Sequence, residues 1–262
     1  MRTLLLWALL ILSGTVQAES FDHRHGAWNE LLERHVQWSR DGVASAVDYP
    51  ALEGQRPALD AYLAQLSAIS QTEFAGWSRD QRLAFLINAY NAFTVQLVLD
   101  HYPLASIKEI GGLFSSPWKR RFIALLGQTL SLDDLEHGLI RERGDYDEPR
   151  IHFVVNCASI GCPALRPQAL VAEQLDEQLE DSLRRFLSDR QRNRFDRPAD
   201  RLLVSKIFDW YSEDFVRQAG SVERYLAERA HWLSDDPAEQ ERIRRGTRLG
   251  YLDYDWSLNV MH

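Results

Sequence analysis

The sequence predicts an α+β fold in which several helices pack around a buried central helix and a small, mainly antiparallel sheet. Three observations predict it. Apolar residues recur at helical spacing in several segments along the chain. One of these segments, residues 80–99, is apolar nearly all round, which is typical of a helix in the middle of a core. Short β-type segments bracketed by turn residues alternate with the helices, with no internal repeat and no linker.

The first eighteen residues have the pattern of a secretory signal peptide. Arg2 provides a short positive region, residues 4–12 form an apolar run, and Ala18 ends a stretch suited to cleavage. The run is too short for a bilayer span, which takes about 20 apolar residues. We therefore expect export to the periplasm or secretion, with a single globular domain over residues 19–262 and no transmembrane segment in the mature chain.

The other elements follow in order along the chain. Helices are predicted over residues 27–38, 59–70, 80–99, 132–143, 168–190, 206–216, 222–233 and 236–245. Extended segments or strands are predicted over residues 42–49, 122–126, 129–132, 151–156, 194–196, 201–204 and 251–258. Capping boxes at Ser78 and Ser131 predict two of the helix starts. Gly127-Gln128 predicts a two-residue hairpin turn.

A polar stripe runs along the central helix. Asn88, Asn91 and Thr94 recur every three residues within the otherwise apolar segment. Burying an amide without a partner costs about 1–3 kcal/mol. We therefore expect the stripe to meet hydrogen-bond partners, such as loop backbone near Cys157.

The only two cysteines of the chain, Cys157 and Cys162, lie in one stretch. A buried strand over residues 151–156 should deliver Cys157 to a loop of small residues, where Gly161 gives the chain room to turn. Such a loop presents a reactive thiol or closes a small disulfide ring, and both readings stay open. Two cysteines in an exported protein most economically form one disulfide, worth roughly 2 kcal/mol in so short a loop.

Composition excludes two classes of protein. The net charge of −8 argues against nucleic-acid binding, because such proteins carry clustered positive charge. Eight Trp, nine Tyr and eleven Phe argue against a disordered chain. No cofactor is predicted.

Five ordered motifs resemble one family, the bacterial and plant proteins known as "domain of unknown function 547". The motifs are FLINAYNAFTVQLVL at 85–99, SLDDLEHGLIR at 131–141, IHFVVNCASIGCPAL at 151–165, SKIFDWYSEDF at 205–215 and YLDYDWSLN at 251–259. The resemblance spans roughly residues 80–259 and implies a shared fold and a shared site, but no mechanism. The site is expected at Asn88, Asn91, His137, His152, Asn156, Cys157 and Cys162. A papain-like or transglutaminase-like arrangement is a weaker analogy, because Cys157 would end a strand instead of starting a helix.

The reading that the sequence favours is a domain that binds a small molecule or a protein partner, with a structural Cys157–Cys162 disulfide. The expected binding residues are Asn88, Asn91, His152, Asn156 and Asp255. Asp255 lies in the aromatic and acidic segment YLDYDWSL. Such a pattern is more typical of a closing strand than of a sugar-binding surface.

The alternative is a thiol-dependent acyl-transfer enzyme that hydrolyses or transfers amides or thioesters. A nucleophilic cysteine needs a base nearby and an orienting group behind that base. Cys157 would be the nucleophile and His137 the base, with His152 as the other candidate base. The remaining candidates are the orienting carboxylates Asp133 and Asp134 and the oxyanion donors Asn88 and Asn91.

A metal site is a third and weaker reading. His137, His152, Cys157 and Cys162 offer nitrogen and sulfur ligands of the kind zinc prefers. Their spacing is irregular, so no metal is predicted. The cysteine spacing also differs from that of thioredoxin-type redox motifs.

Overall fold

The computed structural model describes residues 20–112, 115–141 and 144–261. The predicted signal peptide, residues 1–18, lies outside the described residues. The α-helices are α1 Gly26–His35, α2 Tyr49–Glu53, α3 Arg56–Ala68, α4 Gln71–Ala75, α5 Arg79–Leu99, α6 Leu175–Ser188, α7 Ile207–Trp210, α8 Ser212–Ala219, α9 Val222–Ala227, α10 Ala230–Leu233 and α11 Pro237–Arg244. The strands are β1 Val36–Trp38, β2 Ser45–Val47, β3 Ile123–Leu125, β4 Gln128–Leu130, β5 Arg194–Asp196, β6 Arg201–Val204 and β7 Arg248–Tyr251. The predicted α+β class is confirmed.

Helix α5 is the central helix that the sequence predicts. Its capping box is formed, because Ser78 Oγ accepts from the Gln81 N–H (3.2 Å) and the Gln81 side chain accepts from the Ser78 N–H (3.0 Å). By length and composition α5 would be able to cross a membrane, but 89% of its most apolar window is buried inside the protein. It is the core helix of the fold.

The β-structure of the described residues consists of small sheets, β1–β2, β3–β4 and β5–β6–β7. Neighbouring strands are antiparallel except β6 and β7, which are parallel. Strands β3 and β4 form the predicted hairpin, but its turn is Leu126-Gly127, one residue earlier than predicted. Both turn residues have positive φ (53° and 74°), as a type I′ turn requires.

The strand predicted over residues 151–156 is wrong. A 3-10 helix, Pro149–Phe153, forms instead, and the Glu148 side chain caps it by accepting from the Arg150 N–H (3.0 Å). The chain then runs irregularly to Cys157. Residues 151–156 are buried throughout, so no alternation distinguishes a strand from a helical turn. Pro149 moreover suits the first position of a helix.

Several other predicted elements are shorter or interrupted. The helix predicted over 206–216 is divided at Tyr211 into α7 and α8, and the helix predicted over 222–233 is divided into α9 and α10. The closing strand predicted over 251–258 is wrong beyond Tyr251. From there the backbone is irregular because it pairs with a turn, through bonds from the Ile160 N–H to Ser257 O and from the Gly161 N–H to Asp255 O (both 2.8 Å).

Buried apolar side chains form two clusters that meet at the cysteine loop. The larger cluster surrounds α5, and the second is built from the end of α6 onward, around Phe208 and Phe215. Phe153 belongs to the second cluster, whereas the adjacent Val154 belongs to the first. The chain therefore reaches Cys157 along the junction of the two clusters.

Candidate functional site

A cavity of about 190 Å³ lies at this junction. Its aromatic walls are formed by Tyr90, Trp118, Trp210, Tyr211, Tyr254 and Trp256. Its polar lining is formed by Ser116, Asp133, Glu136, His137, His152, Cys157 and Cys162. The cavity therefore brings together both predicted histidines and both cysteines.

The cysteine loop is held by side-chain amides. Asn156 Oδ1 accepts from the Ala158 N–H (2.9 Å), and Asn156 Nδ2 donates to Pro163 O (2.7 Å). Ala158 takes a positive φ of 58° at this turn. Asn91 anchors the loop to α5, because its Nδ2 donates to Val154 O (2.9 Å) and its Oδ1 accepts from the Asn156 N–H (2.8 Å). The expected bond from the stripe to backbone near Cys157 is thus present, whereas the Thr94 hydroxyl, expected to find a partner too, is buried without one among the described residues.

Asn88 braces a different loop. Its Nδ2 donates to Leu170 O (2.7 Å), and its Oδ1 accepts from the Leu170 N–H (3.1 Å). Neither Asn88 nor Asn91 lines the cavity, so neither is placed to donate to an oxyanion there. Ligand binding by Asn88, Asn91 and Asn156 stays a prediction.

The predicted disulfide does not form, and Cys157 and Cys162 are both free thiols. The Cys162 sulfur lies against backbone, accepting from the Cys157 N–H (2.8 Å). The Cys157 sulfur contacts the Cys162 thiol and also Ser159 Oγ (3.1 Å) and Tyr254 Oη (3.2 Å). The two side chains therefore meet as hydrogen-bonded thiols, which the five-residue spacing does not reveal.

The two thiols differ in acidity. Burial raises the pKa of the Cys157 thiol, but hydrogen bonds from Cys162, Ser159 and Tyr254 outweigh it and hold that pKa below its ordinary value. For Cys162, burial and the neighbouring Cys157 raise the pKa well above its ordinary value. Cys157 is also the more exposed of the two. The thiolate of the pair therefore resides on Cys157.

His152 lies in the floor of the cavity and is held from behind by a carboxylate. Its Nε2 lies 2.7 Å from Asp214 Oδ2, and its ring stacks on Tyr211 with centroids 3.9 Å apart. Burial opposes the charge of Asp214, but bonds from His152 and Arg141 outweigh it and keep the Asp214 pKa well below its usual range. Burial lowers the pKa of His152, so the ring is neutral at pH 7.

These charges determine the tautomer of His152. An ionised Asp214 accepts hydrogen bonds only, so Nε2 of the neutral ring carries the proton and donates it. Nδ1 then holds a lone pair, and this atom is buried without a hydrogen-bond partner among the described residues. His152 thus has the arrangement of a general base with an orienting carboxylate.

His137, the predicted base, lies at the edge of the cavity with both ring nitrogens engaged. Arg141 Nη1 donates to His137 Nδ1 (2.6 Å), and His137 Nε2 lies 3.5 Å from Asp133 Oδ1. The predicted orienting role of Asp133 is consistent with this contact, whereas Asp134 caps the helix start at Ser131. Because an arginine occupies its acceptor nitrogen, His137 is a poorer base than His152.

Glu136 and His137 both line the cavity although they are adjacent in sequence. The helix predicted over 132–143 becomes a π helix, Asp134–Ile140, in which the Arg141 N–H bonds to Glu136 O (2.9 Å). The wider turn changes the directions of successive side chains, and π turns are frequent at functional sites. Glu136, which an ordinary helix would turn away from His137, therefore shares the cavity with it.

Asp255 is not part of the cavity lining. Its side chain is exposed and accepts from the Ser257 N–H (2.9 Å). Its predicted binding role stays a prediction. Within the described residues, no group of three or more His, Cys, Asp or Glu side chains is placed to hold a metal ion.

Sequence reasoning missed Asp214 and Arg141, and it did not place the aromatic walls. Asp214 follows His152 by 62 residues and precedes Arg217 on a short amphipathic helix, which is the pattern of an ordinary surface acid. Trp210 lies in a segment predicted as a helix, and Tyr254 and Trp256 lie in the predicted closing strand, so their positions in the sequence do not group them. Only their clustering, with ring centroids 4.5–5.8 Å apart, identifies them as a wall.

Comparison with known proteins gives a family match. The model of the family described as "Protein of unknown function, DUF547" matches residues 74–187, which include α5, the π helix and the cysteine loop. The motifs at 205–215 and 251–259 lie beyond the matched residues. No curated protein and no solved structure matches the chain. The predicted resemblance is therefore confirmed over residues 74–187, which match the DUF547 family.

Proposed function

We propose that this protein is a thiol-dependent acyl-transfer enzyme that acts on an amide or a thioester, with Cys157 as its nucleophile. One observation carries the proposal. A free, acidified thiol and a neutral histidine whose Nδ1 is unpaired line the same cavity. A nucleophile, a base and an orienting group behind the base are the parts that acyl transfer through cysteine needs.

In the first step the Cys157 sulfur attacks the carbonyl carbon of the substrate, forming a C–S bond. The bond from that carbon to the leaving nitrogen or sulfur breaks, and the leaving group takes the electron pair. His152 Nδ1 receives the thiol proton and delivers it to the leaving group. Water or an amine then attacks the acyl carbon and releases Cys157 as a thiol.

The base in this proposal is His152, which replaces the first-choice base expected from the sequence, His137. In the described residues neither histidine hydrogen-bonds to Cys157 Sγ. Catalytic hydrogen bonds are often long before substrate binds and tighten in the complex. Asp214 keeps the lone pair of His152 on the nitrogen that has no other partner.

The donor to the developing oxyanion is the Tyr254 hydroxyl in this proposal, in place of Asn88 or Asn91. Burial, reinforced by the nearby cysteines, raises the pKa of Tyr254 well above its ordinary value, so the phenol keeps its proton at neutral pH. It already lies 3.2 Å from the Cys157 sulfur. A donor at that distance is placed close to any carbonyl that the sulfur attacks.

The test is acylation by 4-nitrophenyl acetate, with release of nitrophenol followed optically and the protein mass measured. We expect a burst of nitrophenol and one acetyl group on the wild-type protein. Cys157→Ala should give neither. His152→Gln should slow acylation by roughly 100-fold, the usual contribution of a general base.

His137→Gln is the matched control, because it changes the other cavity histidine in the same way. Its acylation rate should stay within about threefold of wild type, since His137 Nδ1 is already occupied by Arg141. Equal losses in the two histidine variants would contradict the assignment of the base. Absence of any acyl-enzyme would contradict the enzyme and favour a cavity that binds a ligand without turnover.

We also propose that the protein is exported, on the strength of the apolar and cleavage pattern in residues 1–18. Expression in a Gram-negative host followed by separation of periplasm and cytoplasm tests this. A periplasmic product shortened by about 18 residues is the expected result. A full-length product retained in the cytoplasm would contradict it.

A further inference from the structure

The cavity contains a buried carboxylate that the acyl-transfer chemistry does not use. Glu136 is only 5% exposed, and its Oε1 has no hydrogen-bond partner among the described residues. The Tyr211 hydroxyl hydrogen-bonds to this carboxylate, but no lysine, arginine or histidine of the described chain forms an ion pair with it. Burying a carboxylate without a counter-charge is costly, so its retention in the cavity indicates an external cationic partner.

The carboxylate of Glu136 shifts the pKa values of several residues around it. It opposes ionisation of Tyr90 and Tyr211 and raises the pKa of both, after burial, which is the larger cause. It also pushes the pKa values of Cys157 and His152 upward, although other causes leave both below their ordinary values. Glu136 thus faces the same space as the proposed nucleophile and base.

The walls of that space suit a cation. Trp210, Tyr254 and Trp256 lie side by side, and the electron-rich faces of such rings attract ammonium and guanidinium groups. Two cations of the protein already use rings of these walls. Lys108 lies over Trp256 (3.7 Å) and Arg141 over Tyr211 (4.8 Å), and neither forms an ion pair with Glu136.

We infer that Glu136 binds a positively charged nitrogen of the substrate, so that the acyl-transfer substrate carries an ammonium or guanidinium group close to its reacting carbonyl. This inference rests on the proposed function for the identity of the reacting atom, Cys157. It makes Glu136 a specificity-determining residue. The negative charge of Glu136 opposes ionisation of the Cys157 thiol. A bound cation offsets that charge, so binding of the cationic substrate favours the Cys157 thiolate.

The experiment compares two methanethiosulfonate reagents of similar size, one carrying a trimethylammonium group and one a sulfonate. Each forms a mixed disulfide with the Cys157 sulfur and releases methanesulfinate. We expect the cationic reagent to react faster with the wild-type protein. In Glu136→Gln the ratio of cationic to anionic rates should fall roughly tenfold, the size expected for a charge pair partly shielded from water.

Two further variants make the comparison specific. Glu136→Asp keeps the charge and should keep most of the preference. Asp253→Asn removes an exposed carboxylate from the segment that carries Tyr254 and Trp256, and it should leave the ratio within about twofold of wild type. A ratio unchanged in Glu136→Gln, or lowered equally in Asp253→Asn, would overturn the inference.

Failure here is distinguishable from failure of the proposed function. The reagents report only on charge near Cys157, whereas acylation by the uncharged nitrophenyl ester reports on Cys157 and His152. A wild-type protein without any cationic preference, or a ratio that Glu136→Gln leaves unchanged, refutes the role of Glu136 alone when acylation is normal. A preference that depends on Glu136, without any acylation, refutes the enzyme and leaves a cation-binding cavity.

Discussion

At the scale of single residues, two cysteines of one loop have different chemistry because their sulfurs contact different groups. The Cys162 sulfur lies against the backbone, and burial keeps it a thiol. The Cys157 sulfur meets the hydroxyls of Ser159 and Tyr254. Hydroxyl donors stabilise a thiolate more than a thiol, so they lower the pKa against the effect of burial.

Tyr254→Phe removes one of these donors without changing the ring. We expect the pH midpoint of Cys157 alkylation by iodoacetamide to rise by roughly one unit, because the thiolate loses a hydrogen bond. Rates measured by intact mass between pH 5 and 10 check this. Tyr251→Phe changes an exposed tyrosine of the same segment and should leave the midpoint in place. A midpoint unmoved in Tyr254→Phe would show that this hydroxyl does not acidify Cys157.

At the scale of elements, the site depends on how closely the cysteine loop approaches the C-terminal segment. A Cβ on Gly161 would lie 2.9 Å from Asp255 O and 3.0 Å from the Tyr254 ring. Neither the backbone nor a packed ring moves aside cheaply. Gly161 is therefore required where the loop pairs with the residues that position Tyr254.

Gly161→Ala should destabilise the protein by about 1–3 kcal/mol and raise the alkylation midpoint of Cys157, because Tyr254 is displaced. Urea unfolding and alkylation rates measure the two effects. Gly138→Ala is the matched control, because Gly138 is exposed in the π helix and a Cβ there meets no atom within 4 Å. Gly138→Ala should stabilise the protein by about 0.5–1 kcal/mol, because alanine favours the helix more than glycine does, and it should leave the alkylation midpoint of Cys157 unchanged. Equal midpoint shifts in both variants would contradict the role of the close approach.

The elements also show what periodicity can predict. The central helix, its capping box and strands β5 and β6 follow from local pattern, because neighbours in sequence determine them. The turn at Cys157 does not, since it depends on the bond from the Asn156 N–H to Asn91, 65 residues earlier in the chain. The strand predicted over residues 151–156 is wrong for a different reason, because a fully buried segment shows no hydrophobic period.

The site could be predicted only in part for a related reason. Cys157, His137 and His152 were identifiable as chemically capable residues within recognisable motifs. The choice between the two histidines depends on Arg141 and Asp214, and the contact of His152 with Asp214 spans 62 residues. The π turn that brings Glu136 into the cavity has no sequence signal of its own. The local sequence pattern thus identifies candidate residues, and long-range contacts determine the role of each.

At the scale of the whole molecule, buried neutral histidines pack against each of the two apolar clusters. His152 packs on Phe215 in the second cluster. His25 lies near the N-terminal end of the described chain, with its Nδ1 2.8 Å from Tyr62 Oη. Its Nε2 is buried without a partner among the described residues. Protonating such a ring would place an uncompensated charge in the core.

This arrangement predicts a loss of stability in mild acid. Burial lowers the pKa of His25 from 6.5 to about 4, so the unfolded chain binds a proton that the folded protein refuses between these values. The contribution of His25 to the free energy of unfolding is fully present above pH 6.5 and is lost as the pH falls to about 4. The change amounts to about 3 kcal/mol. His25→Gln should flatten the pH dependence of the free energy of unfolding by about one proton in this window. Urea titrations at several pH values measure it, with His231→Gln, an exposed histidine, as the control. Parallel curves for wild type and His25→Gln would contradict this prediction, because they would mean that His25 binds its proton equally well in the folded and the unfolded chain.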